Sequence, residues 1–103
     1  MTLNNSLETN YPTREDVLKI FDYRCPRCRQ YATVVHELEP RSRGQKSMRM
    51  DNRCAICHIC HEQYHALGAT DVNILEWKED IRKYMVSLGR WVEYSTWDEV
   101  HNG

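Results

Sequence analysis

The sequence predicts a small α+β domain stapled by bound metal, and three observations carry that expectation. Two Cys-x-x-Cys hooks, Cys25-Pro26-Arg27-Cys28 and Cys57-His58-Ile59-Cys60, stand well apart in a chain of 103 residues. Between them a β-forming run, a basic loop and a short return run lead into a helical stretch. So short a chain buries only a modest part of its unfolded surface, so a metal cross-link contributes where the apolar core is small.

The elements follow in order. Residues 1–12 lack periodic apolar pattern and read as a flexible N-terminal tail, leaving 13–103 as one domain. Pro12-Thr13 with Asp16 marks a helix start, Thr13 as N-cap, and Val17, Leu18, Ile20 and Phe21 give that helix its apolar face. Tyr31–Leu38 is rich in β-formers and reads as a strand ending near His36. Residues 40–50, polar and basic with Gly44, form a loop, and Arg53–Ile56 a short return strand. A helix from Cys57 to Leu67 stops at Gly68. Thr70 caps a longer helix that buries Ile74, Leu75, Ile81, Tyr84, Met85 and Leu88, with Trp77 partly buried, until Gly89 ends it. Trp91, Tyr94 and Trp97 recur at three-residue steps, which suits a short helix laid on the core. The core is thus expected over 25–67, with a helical extension over 70–103.

Composition narrows the function classes. The chain is 41% hydrophobic with mean hydropathy −0.75, too apolar for a disordered chain. No run approaches the roughly 18 consecutive apolar residues of a membrane helix, and the polar start has no signal-peptide core. A cytoplasmic setting with reduced thiols is the expectation, and it favours metal over disulfides for Cys25, Cys28, Cys57 and Cys60. The odd total of five cysteines points the same way, leaving Cys54 as a buried small hydrophobe. Four thiolates in two hooks suit a closed tetrahedral Zn²⁺ site. The formal net charge of −1 hides an asymmetry, because Lys and Arg concentrate between Arg24 and Arg53, where a phosphate backbone is most readily held.

His36, Asn52, His61 and His65, with Pro40-Arg41-Ser42-Arg43-Gly44 between the first two, resemble the motif of the HNH endonucleases. The flanking hooks resemble the zinc-stapled HNH proteins of bacteriophages and mobile elements. The resemblance covers residues 25–65 and implies a zinc-stabilised ββα-metal core with flanking helices. It implies a metal-dependent endonuclease that cuts or nicks double-stranded DNA, inside a host cytoplasm if phage-encoded; so small a domain has no obvious second module for specificity, which is expected from a partner protein or from DNA structure. It implies further that His36, His61 and His65 hold a catalytic divalent cation (Mg²⁺, Mn²⁺, Ni²⁺ or Zn²⁺) and that Asn52 fixes the loop. His61 and His65, at i and i+4, share one helical face. Arg41, Arg43, Lys46 and Arg53 are the expected phosphate contacts.

One position departs from the pattern. The residue after His36, usually the general-base histidine, is Glu37, a weaker base than imidazole once a cation favours its ionised form. Glu37 is therefore either the base or another ligand. It is also the main argument for an alternative: a non-catalytic zinc module that binds nucleic acid or protein. His58, between the zinc cysteines, is expected to be an exposed bystander.

Overall fold

The structure, a computed structural model, describes residues 10–102, without the side chains of Arg43 and Gln45. Most of the expected 1–12 tail therefore lies outside the described residues. Its last residues are tied down: Asn10 and Asn102 exchange hydrogen bonds (2.6 and 2.9 Å), and Pro12 is buried. The first helix, α1 (Arg14–Ile20), opens on a capping box. The Thr13 side chain accepts from Asp16 N–H (3.0 Å), and the Asp16 carboxylate accepts from Thr13 N–H (2.9 Å). Two amides that a helix start leaves unpaired are thus satisfied reciprocally. Val17, Leu18, Ile20 and Phe21 turn inward from it.

The first hook is a tight turn, its ends bridged between Arg24 and Tyr31, with Cys25 N–H donating to the Gln30 carbonyl at 2.9 Å. That bridge takes Tyr31 out of the strand expected over 31–38. Regular pairing covers only β1 (Val34–Glu37), antiparallel to β2 (Arg53–Ile56), with His36 opposite Cys54 and Glu37 opposite Arg53. After Glu37 the chain bends to let Leu38 N–H reach the Asn52 carbonyl at 2.8 Å. The connection is not an irregular loop but three successive 3₁₀ turns, Arg41–Arg43, Gln45–Met48 and Met50–Asn52.

Helix α2 (His58–Leu67) begins at Cys57 and ends at Gly68. Helix α3 (Asp71–Leu88) begins at Thr70, whose side chain accepts from Asn73 N–H, and ends at Gly89 in the left-handed region. Those boundaries match the sequence expectation. Two side chains depart from it: Leu75 is exposed, and Trp77 is wholly buried. Trp77 sits under the Arg27 guanidinium (4.2 Å to the ring centre), which is also paired to Asp80 at 2.7 Å, so the first hook is strapped to α3. Two short helices, α4 (Trp91–Ser95) and α5 (Trp97–Asn102), close the core, with Tyr94 packed edge-on to Phe21. The described residues thus form a small α+β fold of five α-helices and a two-stranded antiparallel sheet. No described helix is long and apolar enough to cross a membrane.

Three buried tyrosines pin helices to strand ends and turns. Tyr64 of α2 donates to the Leu38 carbonyl (2.7 Å), Tyr84 of α3 to Phe21 (2.7 Å), and Tyr94 of α4 to Arg53 (3.1 Å). Asp98 of α5 does the same for the third 3₁₀ turn, its buried carboxylate accepting from Met50 and Asp51 N–H at 2.9 and 3.2 Å. A substitution that removes the carboxylate strands those amides, each costing about 1–3 kcal/mol. Asp98→Ala is therefore expected to lower stability by about 2–3 kcal/mol in a urea titration, whereas Asp71→Ala, at an exposed helix start, changes it by less than about 1 kcal/mol.

Candidate metal centre

Cys57 is both the last residue before α2 and its cap. Its Sγ accepts from Cys60 N–H at 3.4 Å, and the helix start concentrates partial positive charge there. The first hook delivers Cys25 and Cys28 to the same point, Cys28 Sγ lying 3.3 Å from Cys57 Sγ. All four sulfurs lie within 4.8 Å of one another. A tetrahedron with Zn–S near 2.3 Å puts its sulfurs about 3.8 Å apart, so the cluster has the size of a zinc site.

The thiols' electrostatics fit that assignment. Burial, then the Cys57 sulfur, pushes the Cys60 thiol well up, and burial raises Cys28. Burial acts on Cys57 in the same direction, but hydrogen bonds from Cys60 N–H and the neighbouring thiols outweigh it and lower that thiol. One thiolate is favoured while burial, and then the neighbouring sulfurs, hold Cys28 and Cys60 protonated, a penalty that a bound divalent cation would relieve. Four close cysteines thus form a site suited to a metal ion such as zinc. Cys54 is buried outside this cluster, its thiol pushed well up by burial.

Further along α2, His61 and His65 project from one face, their Nε2 atoms 3.0 Å apart. His36 reaches them from β1, its ring centre 5.1 Å from that of His61 and 5.7 Å from that of His65. One ring nitrogen from each of the three lies within 4.8 Å of the others. His36 is buried edge-on against Tyr64 (4.1 Å between ring centres), and its Nε2 is buried with no hydrogen-bond partner. A buried polar atom left unpaired is costly and uncommon, and here it belongs to the cluster. Burial, reinforced by repulsion from His61 and His65, lowers His36 to about 4; burial and then His65 lower His61. These two imidazoles are thus neutral at neutral pH, the form that ligates a metal.

An open groove of about 540 Å³ runs over the histidines, its walls including Arg14, Glu37, Arg41 and Arg53. Glu37 is held by the exposed Arg41, whose Nε lies 3.3 Å from the carboxylate. Arg53 is buried, its guanidinium donating to the Pro12 carbonyl at 2.6 Å, so it forms wall rather than a free arm. Lys46 is exposed but lines a different cavity, and the Arg43 side chain lies outside the described residues. Asn52 does not face the groove: its Oδ1 accepts from Glu39 N–H (3.0 Å), and its Nδ2 donates to the Glu39 and Ser47 carbonyls (3.0 and 2.9 Å). It closes the turn-rich connection on itself. His58 points to solvent and pairs with Glu62. Arg14, whose guanidinium donates to the Thr33 carbonyl, and Tyr64 had no motif to mark them.

Structural zinc binding of about 10–16 kcal/mol rivals the whole stability of a small domain. Cys57→Ser is therefore expected to lose both bound zinc and helical circular dichroism. His61→Ala is expected to keep one tightly bound zinc per chain and a cooperative melt, as metal analysis and thermal denaturation will show.

No family model, curated protein or solved structure matches this chain.

Proposed function

We propose that the chain is a metal-dependent DNA endonuclease of the HNH type, with β1, the turn-rich connection, β2 and α2 as its ββα-metal core. The observation that supports this most is the convergence of His36, His61 and His65 beneath an open, arginine-walled groove. These imidazoles would hold the divalent ion, which when bound stabilises charge developing on the scissile phosphate and its leaving oxygen. The four cysteines hold zinc as a staple. Asn52 fixes the connection that carries Arg41, a positioning role. Arg41 exchanges its bond to Glu37 for a phosphate oxygen, and the released carboxylate takes the proton of the attacking water. Arg14 and Arg53 give the groove wall its positive potential, and duplex DNA is the substrate that this potential suits. The resemblance associates such a cutter with phage or mobile-element DNA processing, and its small size leaves specificity to a partner protein or to DNA structure.

The Glu37–Arg41 pair favours a second reading, in which the carboxylate is structural and the chain is a zinc module that binds nucleic acid or protein without cutting. Supercoiled plasmid incubated with the zinc-loaded protein and an added ion separates the two. Nicking is expected, at least about 100-fold slower in His61→Ala, and about 100-fold slower in Glu37→Gln if Glu37 is the base. A Glu37→Ala protein that nicks at the parent rate removes that residue from proton transfer. Folded protein that fails to cut whichever ion is added supports the module. Because three imidazoles suit borderline ions better than hard ones, Ni²⁺ is expected to support faster nicking than Mg²⁺.

A further inference from the structure

The turn-rich connection borders a second cavity, of about 450 Å³, whose lining shares only Pro40 with the histidine groove. That volume is in the range of small-ligand sites, roughly 300–1,000 Å³. Its lining combines three features. Trp91 is partly exposed and tilted 31° to the buried Tyr94, which gives the cavity an aromatic wall. Lys46 and Lys78 are exposed at its border, and neither has an ion-pair partner among the described residues. Ser47, 3% exposed, also lines it, and its Oγ is buried with no hydrogen-bond partner. Of the acids at its border, Asp51 is paired with Arg49 at 3.1 Å.

An aromatic face and two exposed ammonium groups match the parts of a nucleotide. Bases stack on aromatic side chains whatever their identity, and lysines hold phosphate as point charges. We propose that this cavity takes one unpaired nucleotide of a nucleic-acid strand, its base against Trp91 and its phosphate against Lys46 and Lys78. The proposal rests on the nucleic-acid reading above and adds to it: the strand that crosses the histidine groove leaves one splayed nucleotide beyond Pro40.

The test is fluorescence anisotropy of a labelled oligothymidine with the zinc-loaded full chain and no added ion, set beside the plasmid assay. Trp91→Ala is expected to weaken binding about 10-fold and Trp91→Phe to restore most of it. Lys78→Ala, an exposed change that leaves the core untouched, is expected to lower the salt dependence of binding. Competition by free thymidine monophosphate shows that one nucleotide suffices; a requirement for the longer strand also supports the site, provided Trp91→Ala loses it. Parent-level binding in a folded Trp91→Ala overturns the cavity, even where plasmid nicking stands. Weakened binding by Trp91→Ala in a protein that does not nick plasmid with any added ion upholds the cavity while the endonuclease reading fails.

Discussion

The convergence of four sulfurs at the start of α2 is the constraint on which the other parts depend. A two-stranded ribbon of four-residue strands is marginal alone, and so is a helix of ten residues. Cys57 joins them, because it directly follows β2 and caps α2, while Cys25 and Cys28 bring the first hook to the same point. The hook is in turn strapped to α3 through Arg27, over Trp77 and onto Asp80. The thiolate cluster therefore couples the ribbon, the second helix and the long third helix, and the apolar core fills in around that frame.

The histidine cluster inherits its order from this frame. His36 is carried by a strand and His61 and His65 by a helix, so their approach is fixed by how α2 lies on the ribbon. Tyr64 sets that lie at its far end by donating to the Leu38 carbonyl, and its ring backs His36. Burial then keeps His36 uncharged, which three rings at such close range require. The unpaired Nε2 is the cost of this arrangement.

Local signals were the most legible part of the chain. Thr13, Thr70, Gly68 and Gly89 mark helix ends through chemistry confined to a few neighbouring residues, and each end is where the sequence puts it. The hooks and the i, i+4 histidines were legible for the same reason. What could not be read depends on distant partners. Trp77 is fully buried because Arg27 covers it, and Arg53 is withdrawn because Pro12 accepts from it. Tyr31 leaves the strand because Arg24 pairs with it. Asp98 holds a turn some fifty residues away, which no local pattern reveals.

Cys60 and His61 are neighbours on one helix, and this adjacency restricts how the chain can diverge. Each residue of an α-helix advances by about 100°. One residue inserted between them, with Cys57 and Cys60 anchored, would swing both imidazoles by more than a quarter-turn away from His36. Point changes along the outer side of α2, at Ile59 or Glu62, leave the angle untouched. The segment from Cys57 to His65 is therefore free to drift in identity at its exposed positions but not in length.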